Sequence, residues 1–231
     1  MWNKMLDFRG MLEKNKMSLI MSLPENRPEW SNAAFAAGAD AVKVHMNLKH
    51  HASGNGFGRL AEFRAAFEEM LDGAKGPMGI VPGNSLENIE LDIDELINSR
   101  FEFLSFYTHH LPARVWGCPK QLMAACDYSY TLDEIGAFAG CGVDVVEASI
   151  VPPDEYGTRL SFRDLVKYRG IVECCHLPVV VPTQRLILPE DIKGLANAGV
   201  KAIMIGAVVT GKSEETIVAA VKAFRNAIDS L

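Results

Sequence analysis

The chain lacks most of the patterns that mark a specialised class. No C-x-x-C pair occurs, and Cys118, Cys126, Cys141, Cys174 and Cys175 show no zinc-ribbon spacing. Their odd number and apolar settings point to reduced thiols in a cytosolic protein rather than a disulfide framework. No run of about eighteen apolar residues is present, so no membrane-spanning helix and no membrane partner are expected. The opening M-W-N-K-M-L-D-F has too many polar breaks for a signal peptide, and a cytoplasmic location is the expectation. Basic residues are in deficit, 23 Lys and Arg against 29 Asp and Glu, with no run of like charge. That balance argues against nucleic acid, whose phosphates call for clustered cations. H-E-x-x-H and H-x-H are also missing, so neither a metal nor a cofactor is expected.

What is present is a regular alternation. Short apolar, β-branched runs occupy residues 18–24, 40–46, 77–83, 102–109, 121–129, 143–151, 178–183 and 201–206. Segments of helical period separate them, including 60–71 and 190–199, and Ile217, Val221, Phe224 and Ile228 form one apolar stripe near the end. Gly38, Gly142 and Gly199 stand just before three of the runs, where glycine takes a left-handed cap cheaply. Thr131 and Ser213, each followed by early acids, read as helix starts. Strands alternating with helices imply parallel pairing through right-handed crossovers. Eight units in 231 residues match an α/β fold of the closed (β/α)8 type, one domain over residues 1–231. The helix near 113–121 is the weakest, because Pro112, Gly117 and Pro119 interrupt it. The first sixteen residues read as a short extra helix on the barrel floor.

Period-two parity then sorts the strand side chains. Val42, Val44 and Met46 form an apolar face that helices cover, which turns Lys43, His45 and Asn47 inward. In the sixth strand Val146, Ala148 and Ile150 face outward, while Glu147 and Ser149 face inward. Met123 and Ala125 share parity with Asp127, and Ser105 and Tyr107 share it with His109. In this fold catalytic groups gather at the C-terminal strand ends. A buried charge is costly unless paired, and desolvation moves such groups toward acid/base chemistry near neutrality. Lys43 and Glu147 are therefore the leading catalytic candidates, against the alternative of an inert ion pair. Asp127, His45 and His109 join them as groups that orient a substrate, although Asp127 also suits a turn cap. H-H-A-S-G-N-G-F-G (50–58) has the composition of a mobile lid or an ordinary surface loop, and 151–157 is a second lid candidate.

Three stretches carry a family likeness: A-G-A-D-A-V-K-V-H-M (37–46), P-V-V-V-P-T-Q-R (178–185) and A-G-V-K-A-I-M-I-G-A-V-V-T (198–210). Together with the order of elements, they resemble the phosphate-binding (β/α)8 barrels. That superfamily includes ribulose-phosphate epimerase, N-acylmannosamine-6-phosphate 2-epimerase and indole-glycerol-phosphate synthase. The resemblance implies a substrate phosphate held after the seventh and eighth strands, which falls here on Thr183, Gln184, Gly206 and Ala207. Arg185 is either a charged addition to that set or a solvated residue at the start of the seventh helix. The resemblance also implies a homodimer. The chain departs from the family in three places. Pro182-Thr-Gln-Arg185 stands where glycines are usual, His45-x-Asn47 replaces a metal-binding His-x-Asp, and G-I-V-P-G (79–83) lacks a strand-three lysine.

The leading expectation is an epimerase, isomerase or lyase for a small phosphorylated sugar or related carbonyl compound. Lys43 and Glu147 would transfer protons, or Lys43 would form a Schiff base. A metal-assisted hydrolase or lyase using the histidines, and a non-catalytic barrel that binds a phosphorylated ligand, are the alternatives. G-A-V-V-T-G-K-S (206–213) also matches a nucleotide-binding loop. Only one helical segment follows it, however, and its interior is apolar rather than glycine-rich. It therefore marks the end of the eighth strand, with Lys212 and Ser213 in the turn that starts the last helix.

Overall fold

The computed structural model describes residues 7–231. Each of the eight apolar runs forms a parallel strand. They are β1 (Ser18–Ser22), β2 (Ala41–His45), β5 (Met78–Val81), β6 (Phe103–Tyr107), β7 (Gln121–Cys126), β8 (Val145–Ala148), β9 (Val179–Pro182) and β10 (Ala202–Ile205). A two-residue pair, β3 (Leu48–Lys49) and β4 (Gly56–Phe57), makes a small antiparallel hairpin after β2. The eight long strands close in the order β1-β10-β9-β8-β7-β6-β5-β2, a (β/α)8 barrel.

Local chemistry sets the connecting helices. Gly38, Gly142 and Gly199 adopt φ of 112°, 80° and 88°, the left-handed conformation that ends a helix before the next strand. Ser213 caps the helix Glu214–Asp229 by accepting from the Thr216 amide, and that helix buries Ile217, Val221, Phe224 and Ile228 against the barrel. The helix expected near 113–121 does not form. Pro112 and Pro119 remove amide donors and Gly117 takes φ 78°, so only one 3-10 turn, Ala113–Val115, remains.

A short helix, Phe8–Lys14, closes the floor of the barrel, while residues 1–6 of the expected floor segment lie outside the described residues. Asp7 caps this helix through the Gly10 amide at 2.7 Å. Phe8, Met11 and Leu12 pack upward onto an apolar layer that includes Ile20, Ala41, Phe103, Val145 and Val180. The Phe8 and Phe103 rings stack with centroids 3.8 Å apart. Burying each such side chain contributes roughly 1.5–3 kcal/mol. With the lower barrel filled mainly by apolar groups, the charged inward positions lie in the upper layer and the mouth, while Ser18 and Gln121 at the bottom bond the floor segment.

Candidate functional site

Strand register places the central pair. Ser22 of β1 lies beside Lys43 of β2, and Ala125 of β7 lies beside Glu147 of β8. These inward positions stand one layer above the apolar floor, and the two charged side chains cross the barrel to meet. Lys43 Nζ donates to Glu147 Oε2 at 3.1 Å, with both residues buried. Ser105 Oγ donates to the same oxygen and Ser149 Oγ to Oε1, each at 2.9 Å. The carboxylate thus has a partner on each oxygen. An ammonium carries three N–H bonds, and among the described residues Glu147 is the one hydrogen-bond partner of the Lys43 ammonium.

His45 follows two residues along β2. Its backbone is clamped by Asn26, whose side chain donates to the His45 carbonyl at 2.7 Å and accepts from its amide at 3.2 Å. The ring Nε2 lies 3.4 Å from Ser22 Oγ, and Nδ1 is buried without a hydrogen-bond partner among the described residues. Burial first, then the nearby His50 and Lys43 charges, holds the His45 imidazole well below its ordinary pKa, so it is neutral. A cavity of about 220 Å³ opens above these groups, lined by Lys43, His45, Ser105, Tyr107, Glu147 and Ser149. Burial pushes the Tyr107 phenol up, which keeps it a proton-bearing donor.

The 50–58 stretch is the cover of this cavity. Held at its base by β3 and β4, it lays the His50 ring 4.4 Å from the His45 ring and the His51 ring 4.9 Å from Tyr156. Burial, reinforced by the Lys43 charge, lowers the His50 pKa to about 4. The 151–157 stretch supplies the opposite rim. Gln184 Nε2 donates to the Ser149 carbonyl at 3.2 Å and to the Tyr156 hydroxyl, which fixes that ring at the mouth.

Not every inward expectation survives. Asn47 leaves the strand at φ 52° and turns its amide to Pro82 O, Asn88 O and Asp92 Oδ2 at 3.1–3.3 Å, away from the cavity. Asp127 accepts from the amide and hydroxyl of Ser129 at 2.8 and 2.6 Å, which makes it a turn cap. His109 sits in a 3-10 turn after β6 with Nδ1 2.8 Å from Tyr130 OH, and the adjacent His110 lines the cavity in its place.

The expected phosphate grip is also largely spent within the protein. The Thr183 amide donates to Met204 O and the Gln184 amide to Pro182 O. Thr183 Oγ1 accepts from the Gly206 amide at 3.0 Å. Arg185 turns to Glu155 and Asp164 and does not reach the cavity wall. Gly206 lines the cavity and caps the short helix Ala207–Thr210, which Ala207 begins. Among the described residues no group of three or more His, Cys, Asp or Glu side chains is placed to hold a metal ion.

With the geometry established, the solved structures give a clear comparison. Thiamine phosphate pyrophosphorylase from Pyrococcus furiosus superposes over 94% of this chain and 97% of its own, at 16% identity and TM-score 0.64. A tryptophan synthase from Mycobacterium tuberculosis covers 94% and 95%, at 14% identity and TM-score 0.72. A putative fructose-1,6-biphosphate aldolase from Coccidioides immitis covers 96% and 95%, at 13% identity and TM-score 0.69. The likeness is one of fold alone. No protein-family model matches the sequence, and no curated protein matches it. No helix of the described residues is long and apolar enough to cross a membrane.

Several cavity residues were not singled out by sequence reasoning. Ser22 and Lys49 both line the wall. The parity of Ser18, Ile20 and Ser22 in β1 was a usable signal for the first. Lys49 had none, because it lies beyond the strand in the hairpin.

Proposed function

We propose that the barrel catalyses carbonyl chemistry on a small anionic, phosphorylated compound, with Lys43 as the reacting amine and Glu147 as its proton partner. The observation that carries this reading is the Lys43 ammonium. It is buried, it faces the cavity, and it has one carboxylate partner among the described residues for its three protons.

The ammonium gives a proton to Glu147, leaving a free amine and a neutral carboxylic acid. The amine attacks the substrate carbonyl carbon, a C–N bond forms, and the carbonyl oxygen becomes a hydroxyl. Glu147 returns its proton to that hydroxyl, water leaves, and a protonated imine remains. This imine withdraws electrons from the neighbouring carbon, so loss of a proton or cleavage of a carbon–carbon bond there becomes accessible. Those two fates correspond to isomerase or epimerase action and to lyase action. Neutral His45 and the Tyr107 hydroxyl supply polar contacts above the pair. Lys49 at the rim supplies positive charge for the anionic group. The aldolase named among the structural neighbours is in keeping with this class, although its likeness extends to fold only.

Borohydride trapping tests the proposal. The protein is incubated with dihydroxyacetone phosphate, glyceraldehyde 3-phosphate or pyruvate, reduced, and mapped by mass spectrometry. A mass gain on Lys43 that is lost in Lys43→Met supports the covalent route. If no adduct forms, exchange of deuterium from D₂O into the same probes leaves Lys43 and Glu147 as a proton-transfer pair only. Absence of both results sinks the catalytic reading for these compounds.

A further inference from the structure

The lysine of G-A-V-V-T-G-K-S has no part in the chemistry above, yet it stands at the edge of the mouth. Gly211 takes φ 65° after the helix Ala207–Thr210, and Lys212 follows it just before the Ser213 cap. From there the Lys212 ammonium donates to the Ser53 carbonyl, at the tip of the 48–57 hairpin. Ser53 is itself buried, and its hydroxyl lies 3.0 Å from His50 Nδ1 and accepts from the Asn55 amide at 3.3 Å. The carbonyl that receives Lys212 therefore belongs to the residue that organises the hairpin and orients the His50 ring over His45.

The hairpin also touches its surroundings elsewhere, through Asn55 Nδ2 to Glu25 Oε1 at 3.4 Å and the Phe57 ring against His45 among other contacts. Asn55 Nδ2 donates to Pro24 O at 2.8 Å, the His51 ring meets Tyr156, and the His50 ring meets His45. These contacts come from the loops after β1 and β8 and from β2. Lys212 adds the segment after β10 to these attachments. Among these contacts it is the one made by an ammonium, and charge-assisted hydrogen bonds are the stronger kind.

We infer that Lys212 is a positioning residue that latches the 48–57 hairpin shut over the Lys43–Glu147 pair. The latch sets how often the cavity opens to water, whether or not Lys43 reacts with a substrate.

The test compares the full-length protein with Lys212→Met and Lys212→Arg. Deuterium uptake is followed across residues 48–57, and reductive methylation of Lys43 by formaldehyde and cyanoborohydride is read by mass spectrometry. In K212M both rates should rise by about tenfold, the factor that a net charged hydrogen bond commands. In K212R, which keeps a cation of similar reach, exchange should stay near the native rate. Lys212 is exposed, so circular dichroism should show both variants folded, and Lys212→Gln serves if K212M is not. Unchanged exchange across 48–57 in K212M overturns the latch. Equal acceleration in K212M and K212R overturns the role of its charge.

Discussion

Lys43 and Glu147, separated by 104 residues in sequence, meet at 3.1 Å inside the barrel with side chains only 6% and 8% exposed. Their pairing is the condition for either charge to be there. Each would otherwise sit in a cavity wall with its hydration lost and little to replace it.

A reciprocal stability pattern follows. Breaking a buried pair leaves an uncompensated charge, so Lys43→Met and Glu147→Gln should each cost about 3–5 kcal/mol in urea unfolding. The double substitution Lys43→Met with Glu147→Leu removes both charges and should recover most of that loss. Additive destabilisation in the double variant would show that the two groups do not depend on one another.

The histidines of the cover give a pH signature. His50 titrates near 4 in the folded chain against 6.5 for an unperturbed imidazole, because burial disfavours its cation. The unfolded state therefore binds more protons between those values. This contribution is fully present above about pH 6.5 and is lost as pH falls toward 4, at up to about 1.4 kcal/mol per unit. Unfolding free energies at pH 7, 6 and 5 should show at least that slope, to which the depressed His45 also contributes, and His50→Asn should reduce it by the His50 share. An unchanged slope in H50N would assign the titration to other groups.

A further prediction concerns the packing beneath the site. A Cβ placed on Gly79 would lie 2.1 Å from the Phe103 ring, so glycine at that point of β5 makes room for the ring that stacks on Phe8. Gly79→Ala should lower stability by about 1–3 kcal/mol through overpacking. Pairing it with Phe103→Leu should restore part of the loss in thermal melts. If G79A melts like the native protein, the floor is looser than this packing implies.

The eight-fold alternation was legible because a parallel barrel strand is a short apolar run, and its inward parity identified Lys43, His45, Glu147 and Ser149. Parity failed where the strand had already ended. Asn47 turns at φ 52°, and His109 and Asp127 lie in turns beyond β6 and β7, where a period of two no longer describes side-chain direction. The cover's contacts with Tyr156 and Lys212 were not legible either. They join loops brought together only by closure of the barrel, and nothing local in either stretch encodes the other.

Arg185 shows the same limit most sharply, since the sequence placed it on a substrate phosphate. In the fold its Nη2 lies 3.1 Å from Asp164 Oδ1 and also pairs with Glu155, while the Arg185 side chain is 11% exposed. Asp164 in turn accepts from the amide and hydroxyl of Ser161 at 2.8 and 2.7 Å, at the start of the helix Phe162–Cys175. Arg185 thus clamps the 153–158 loop to that helix start, and the loop carries Tyr156 to the mouth. Arg185→Met leaves the Asp164 carboxylate buried without its cation and should cost about 3–5 kcal/mol. Deuterium exchange across 153–158 should accelerate in the same variant. Arg185→Lys should recover little, because one ammonium does not reproduce the planar fork whose Nη2 meets both acids while Nη1 donates to the Glu155 carbonyl and Thr158. The thermal shift given by inorganic phosphate should persist in R185M at phosphate concentrations that stabilise the native chain. Loss of that shift with unchanged exchange across 153–158 would return Arg185 to the phosphate site and remove it from the clamp.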